Sequence, residues 1–275
     1  MVTSTTPKVH MGSLTGNEAR EILARKPVIL LPMGSHEEQG PHAQMGDYLL
    51  AEKMAELIAL RATERGTETL VAPVLPFGGA DYFGAMPGGI AIGQDTLRAV
   101  IADMLGSLIR HDQTRLIVIN GHGGNVGPVY DVTRKLFLEK GTVVPSLYLW
   151  KIANPLLTRI VGPEVVKRSR SHGADPLTSL GMHLFPDFVR HDMIPASGSR
   201  PPRGSFLDIP LTGWAKGEFE GVEVDLPLEY DATSPDGIGA GDPTLCSAET
   251  GAALCEALTE VCARFVAHYS QHVPA

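Results

Sequence analysis

Three short stretches of this chain gather carboxylates and imidazoles where loops would begin. The first is Gly34-Ser35-His36-Glu37-Glu38-Gln39-Gly40-Pro41-His42, followed by Asp47. The second is Asn120-Gly121-His122-Gly123-Gly124-Asn125, and the third is Ser171-His172-Gly173-Ala174-Asp175, leading into Thr178-Ser179. Carboxylates and imidazoles converging from separate loops are what a Zn²⁺ or Mn²⁺ site requires. Such ions accept N and O ligands, and their charge offsets the cost of gathering acids together. A bound ion would lower the pKa of a water to ~7 and so give a hydroxide nucleophile at neutral pH. Plainer readings stand beside this one. His36, Glu37 and Glu38 also fit a solvated loop, and Glu38 fits a surface better than a site. Asp175 before Pro176 suits a helix N-cap. A lone strand-end His such as His122 can be a satisfied structural residue, and His183, His191, His268 and His272 have no carboxylate company at useful spacing.

The elements that must position these residues can be read from the apolar pattern. Leu116-Ile117-Val118-Ile119 reads as a buried parallel strand that the following glycines end. His122 therefore falls at the carboxyl end of a central strand, where open α/β sheets place their ligands. Val28-Ile29-Leu30-Leu31 is the first strand, stopped at Pro32-Met33-Gly34, so the Glu37 loop leaves it directly. Thr15 with Glu18 forms a capping-box pattern that opens a short helix continuing over 19–24. Further helices are predicted over 49–60 and 126–138, and on the i, i+3, i+4 rhythm of Leu97, Val100, Ile101, Met104, Leu105, Leu108 and Ile109. Strands are predicted over 70–75, where Pro73 points to a sheet edge or a bulge, and over 143–150. A last helix spans 248–268. This alternation implies a three-layer α/β/α architecture with a central, mostly parallel sheet. One domain over residues 1–275 is the economical reading.

Residues 192–246 differ from the rest. They carry Pro195, Pro201, Pro202, Pro210, Pro227, Pro235 and Pro243, with glycines between them. Excursions this long are lids, binding loops or arms, and this one fits a cover for the site as well as an arm between subunits.

Bulk properties narrow the function classes. A net charge of −8 argues against nucleic acid or an acidic membrane surface as partner. No apolar run approaches the ~20 residues of a membrane span. The stretch from Met1 to Gly12 lacks the basic start and apolar core of a signal peptide. Cys246, Cys255 and Cys262 form no CxxC pair, and Cys262 shares an apolar helix face with Leu254, Leu258, Val261 and Phe265. A reduced, cytoplasmic chain is expected. Neither a G-x-S-x-G elbow nor a G-x-x-x-x-G-K-[ST] loop occurs.

Taken together, Leu31-Pro32-Met33-Gly34-Ser35 with Glu37, Gly40-Pro41-His42 and the motif from Asn120 to Asn125 resemble the creatininase (creatinine amidohydrolase) family. So do Met86-Pro87-Gly88, His172 with Thr178-Ser179, and Gly241-Asp242-Pro243 with Glu249 and Gly251, in order from Leu14 to Phe265. The resemblance implies a three-layer α/β/α fold, a homo-oligomer, and a metal centre, often of two ions bridged by an Asp. Most members add water to an amide, and one opens a carbon ring. Residue by residue, it implies Glu37 and His122 as ligands and Asp47 as the bridging acid, one place earlier than the family spacing. Gln39 stands where the family has a His, and His42 matches the second His of that motif, as a substitute ligand or a loop-orienting residue. Creatinine hydrolases carry a Glu where Gly124 stands. A family acidic position falls on Leu177, with Asp175 supplying the nearby carboxylate, and Tyr82-Phe83 replace a Glu-His pair.

The implied ligand set is therefore Glu37, Asp47, His122 and Asp175, with His42 and His36 in reserve, for one or two Zn²⁺ or Mn²⁺ ions. Glu37, His122 and His172 are the catalytic candidates, His172 as general base or substrate contact. Gln39, Tyr82, Phe83 and Trp150 are the substrate-binding candidates. The expected reaction is C–N hydrolysis of a small, polar, cyclic substrate. The alternative is C–C hydrolysis of a cyclic diketone such as a dehydro-scyllo-inosose. A reading of another class, a metal-free binding or assembly subunit, is motivated by Gln39 and Leu177. The expected assembly is a homo-oligomer acting on a small molecule, with no nucleic-acid or membrane partner.

Overall fold

Successive residues of two central strands point to opposite faces of one sheet, and both faces are covered. In the computed structural model, which describes residues 7–80, 82–199 and 204–273, the sheet order is β2-β1-β3-β4, all parallel. The strands are β1 (Val28–Met33), β2 (Thr69–Val71), β3 (Leu116–Asn120) and β4 (Ser146–Tyr148). Pro201 and Pro202 of the excursion, and residues 1–6 of the stretch from Met1 to Gly12, lie outside the described residues. Val28, Leu30, Ile117 and Ile119 enter one apolar cluster, whereas Ile29, Leu31, Met33, Leu116 and Val118 enter the other. Strands buried on both faces have to be apolar without interruption, which is why the runs in β1 and β3 are continuous.

The helices are α1 (Gly16–Leu23), α2 (Tyr48–Glu64), α3 (Gln94–Ile109), α4 (Val126–Lys140), α5 (Leu149–Val161), α6 (Pro163–Ser169), α7 (Leu177–Leu184) and α8 (Ala248–His272). Leu50, Met54 and Ile58 of α2, Leu149, Ala153 and Leu157 of α5, and Leu254, Leu258 and Val266 of α8 pack on the first face. Leu97, Ile101 and Leu105 of α3, with Val129, Val132 and Leu136 of α4, pack on the second. The outcome is the expected α/β/α sandwich. The capping box at Thr15 and Glu18 is formed, and Cys262 is buried among the residues that share its face.

Three expectations are adjusted. The strand expected over 70–75 is short and lies at the sheet edge; after Ala72 only an isolated bridge, Met33 to Leu75, continues it, because Pro73 has no N–H to pair. The strand expected over 143–150 ends at Tyr148. Leu149, Trp150, Ala153, Leu156 and Leu157 bury one face of α5 instead. The excursion is also not bare loop: β5 (Ser205–Phe206), β6 (Ile209–Gly213), β7 (Lys216–Phe219) and β8 (Val222–Asp225) pair in order as an antiparallel meander.

Helix α8 crosses α7 at its closest on Gly251. A Cβ built there stands 1.9 Å from the Ser179 carbonyl oxygen and 2.6 Å from its carbon, both backbone atoms that cannot swing away. Gly251→Ala is expected to cost roughly 1–3 kcal/mol through overpacking. The check is urea unfolding, with a lower midpoint and an unchanged slope.

Candidate metal centre

The register of the sheet sets Met33 beside Asn120, so the loops leaving β1 and β3 start side by side. Glu37 comes from the first loop and His122 from the second. Asp47, at the start of α2, completes a group whose ligand atoms all lie within 4.8 Å of one another, with all three residues buried. His122 Nδ1 is 3.2 Å from Asp47 Oδ2 and 3.3 Å from Glu37 Oε1. Asp47 occupies an N-cap position, yet its carboxylate makes no capping bond. Its Oδ1 instead accepts the Ser35 N–H at 2.7 Å, which aims Oδ2 at the imidazole.

The loop sequence explains how His122 is held. Asn120 clamps it from both sides: its Nδ2 donates to the His122 carbonyl at 2.8 Å, and its Oδ1 accepts the His122 N–H at 3.0 Å. Asn125 ties the neighbouring loops together, accepting from Gly79 N–H and donating to the Gly34 carbonyl. The far ring nitrogen, Nε2, lies 3.2 Å from the Gly79 carbonyl, so an Nε2–H donated there leaves Nδ1 for the acids. Gly124 has no room for a side chain, since a Cβ would stand 2.2 Å from the Gly79 carbonyl oxygen and 2.7 Å from His122 Nε2. The acid that the family resemblance implies at this position would not fit this loop.

Burial disfavours a charged imidazole, but the Asp47 and Glu37 carboxylates more than offset it and hold His122 well above the ordinary histidine range. Burial likewise pushes the Asp47 carboxyl up, against the pull of His122 and Ser35. Glu37 Oε2 is buried and has no hydrogen-bond partner among the described residues. An orphaned carboxylate oxygen beside a second acid and an imidazole has little structural use. The same mixed N/O donor set suits Zn²⁺ or Mn²⁺.

The remaining candidates divide clearly. Gln39 is buried behind Glu37, its Nε2 3.3 Å from Oε1, where it orients that carboxylate. Asp175 lines the same cavity, but the structure does not bring it into the cluster: its Oδ1 accepts from Ser179 Oγ at 2.5 Å. His42 also lies apart, its Nε2 3.3 Å from Thr178 Oγ1, and so joins the loop to α7. His36 stacks loosely near Tyr48. His172 is close to the cluster without belonging to it, with Nδ1 4.0 Å from Glu37 Oε1 and Nε2 2.6 Å from the Glu38 carbonyl. Burial lowers the pKa of this ring, although Glu37 and the Glu38 carbonyl pull the other way. His183, His191, His268 and His272 are exposed.

A cavity of about 460 Å³ opens above the cluster. Tyr82, Phe83 and Trp150 line it, Gln39 does not, and the Trp150 indole N–H donates to the Gly121 carbonyl. The sequence reading missed Tyr148, Trp214 and Tyr230. Trp214, in the β6–β7 turn, stacks on Tyr230 at 4.1 Å, and Tyr230 stacks on Tyr82 at 4.2 Å. Phe83 covers one face of His172 at 4.4 Å and Trp214 meets its edge at 5.0 Å. The Tyr148 phenol is pushed up to about 12 by burial and by Asp47 and Glu37, so it stays a donor throughout the neutral range. Trp214 and Tyr230, two large aromatics in an otherwise polar excursion, are the sign of this wall, and Tyr148 at the end of β4 falls in the strand expected over 143–150.

Known proteins resemble this chain over nearly its whole length. The creatininase family model, described as creatinine amidohydrolase, matches residues 12–266. A mycofactocin precursor peptide peptidase of Mycobacterium ulcerans (strain Agy99) is 25% identical over 265 residues, 94% of this chain and 92% of its own. A 3-dehydro-scyllo-inosose hydrolase of Thermotoga maritima is 25% identical over 280 residues, covering 97% and 85%. The solved structure of a manganese creatininase superposes with a TM-score of 0.72 at 24% identity over 95% of this chain and 98% of that one, a likeness of fold. The chain belongs to the creatininase family of hydrolases.

Proposed function

We propose that this protein is a metal-dependent hydrolase of a small, polar substrate, with a cyclic amide as the leading class. The observation that carries the reading is the buried Glu37, Asp47 and His122 group, with its unpartnered Glu37 oxygen, at the floor of an aromatic-walled cavity. Glu37 and Asp47 would offer carboxylate oxygens to Zn²⁺ or Mn²⁺, and His122 would offer Nδ1. The Gly79 carbonyl fixes the tautomer of that ring from behind by accepting from its Nε2–H. A divalent ion there supplies an activated water at neutral pH and polarises a carbonyl.

The chain's own residues supply the rest. His172, with Nε2–H held by Glu38, presents Nδ1 as a proton acceptor and then returns the proton to the leaving nitrogen. Tyr148 is positioned to donate to a substrate oxygen, and the ring wall of Tyr82, Tyr230 and Trp214 keeps bulk water from the reacting carbonyl. Three free cysteines suit a cytoplasmic setting, and a homo-oligomer is the proposed assembly. Asp175 and His42, tied to Ser179 and Thr178, remain reserve ligands only for a second ion.

The test is elemental mass spectrometry of protein purified without chelators, followed by product analysis over cyclic amides and cyclic diketones. One or two ions per chain with a released amine or ammonia is the expected result. A ring-opened keto acid without nitrogen would move the activity to C–C hydrolysis. No ion, even after Zn²⁺ and Mn²⁺ are supplied, would sink the hydrolase reading.

Metal uptake should also be linked to pH. His122 without an ion keeps its proton above the usual histidine range, whereas a ligating imidazole must be neutral. Affinity is therefore expected to fall as pH falls through neutrality, with proton release on binding. Titration calorimetry in two buffers of different ionisation enthalpy checks this, and equal apparent enthalpies would contradict it.

A further inference from the structure

Among the described residues, Arg170 is the arginine that lines the cavity above the cluster. Arg25, Arg61, Arg65, Arg98, Arg190 and Arg264 each pair with an acid. Arg170 is exposed, lines the cavity, and has no ion pair or side-chain hydrogen bond among the described residues. Its backbone, by contrast, is firmly held. Arg170 N–H donates to the Val166 carbonyl at 3.0 Å, Asp175 N–H to Ser169 at 3.0 Å, and Ser171 N–H to Asp175 at 2.9 Å. A cation on a fixed stem is preorganised for whatever enters.

The charges around the cavity decide what that is. Its acids are Glu37 and Asp47 on the floor and Asp175 on the side, the last already bonded to Ser179. A divalent ion on the floor balances Glu37 and Asp47, which leaves Arg170 as the permanent cation among the described lining residues. Asn154 lies on the same rim, next to Trp150 on α5, and adds an uncharged donor and acceptor. A planar guanidinium with free N–H groups matches a carboxylate in two-point geometry.

We propose that Arg170 binds a carboxylate carried by the substrate, so that the substrate is an amide acid whose scissile carbonyl lies over the metal floor and whose anionic end lies at the rim. The proposal rests on the hydrolase reading for the carbonyl and on Arg170 alone for the anion. The carboxylate can belong to a ring acid or to the free end of a short peptide, and both offer Arg170 the same group.

The chain has two tryptophans, Trp150 and Trp214, and both line this cavity. Intrinsic fluorescence therefore reports on it directly. The Mn²⁺-loaded protein is titrated with pyroglutamate against its uncharged carboxamide, and with N-acetyl-Ala-Ala against its terminal amide. At least one acid should bind about tenfold or more tightly than its amide, the scale of a charge-assisted hydrogen-bonded pair. The ring pair or the linear pair showing the gap identifies the source of the carboxylate. Arg170→Gln should reduce that gap to less than about twofold with unchanged metal content and melting temperature, Arg170→Lys should keep part of it, and Arg168→Gln should leave it intact. Acids that bind no better than their amides, or a gap that survives Arg170→Gln, overturn the proposal. Metal content reads the hydrolase separately: a protein that takes up no ion yet prefers the acid retains the Arg170 site and loses the hydrolase.

Discussion

Glu37→Gln is expected to abolish stable metal binding and to lower kcat/KM roughly 10³-fold, because an ion that supplies several kcal/mol of charge stabilisation is lost with its ligand. The substitution keeps size and shape, and it keeps an acceptor for Gln39. It removes the charge of a group whose outer oxygen has no hydrogen-bond partner among the described residues. The folded core should therefore survive, with a melting temperature close to that of the metal-free wild type. Elemental analysis and turnover of the same preparation make the check. A variant with a full complement of metal would show that Asp47 and His122 hold the ion without Glu37. Full turnover without metal would remove the chemistry proposed for the whole cluster.

His172→Ala is expected to leave metal content unchanged while reducing kcat by ~10²–10⁴-fold, the range of a positioned general acid–base. The ring sits 4.0 Å from Glu37 and outside the three-residue cluster, with its other nitrogen committed to the Glu38 carbonyl. Its loss should fall on kcat rather than on KM, and added imidazole should restore part of the rate. Phe83 and Trp214 enclose the ring, so the space left by the Ala side chain can admit that small base. Loss of metal in this variant would instead make His172 a ligand.

The parts of this molecule that could be read from its residues are those where local pattern and tertiary role coincide. Val28 to Leu31 and Leu116 to Ile119 had to be continuous apolar runs because both of their faces are covered. Their ends then located Glu37 and His122. Asp47 was visible as an acid soon after the first loop, although its bond to Ser35 was not. The misreadings have physical causes. In α5, Pro155 and a start directly on the end of β4 hid a helix whose buried face is plain in the fold. In the meander the strands are short and largely exposed, so even the alternation of Val222-Glu223-Val224-Asp225 buries no face and is too brief to mark a strand. Asp175 and His42 carry ligand chemistry, but Ser179 and Thr178 of α7 meet them, and that encounter is tertiary. Trp214 and Tyr230 reach the cavity from a Pro/Gly-rich segment with no acid or imidazole motif beside them, whereas Arg170 adjoins the Ser171-His172 stretch and was passed over there.

The meander brings Trp214 to the cavity, while Glu37, Asp47 and His122 all sit on the ends and entry turns of the main sandwich. One wall residue, Trp214, is thus written in a separate stretch of the gene from the three clustered residues, while Arg170, Tyr82 and Tyr230 lie outside the meander. Residues 205–225 hold none of the three clustered residues, so changes there reach the cavity chiefly through Trp214. A lineage can alter that part of the wall without altering how it cuts, and a library confined to residues 205–225 should yield altered substrate preference at constant metal affinity.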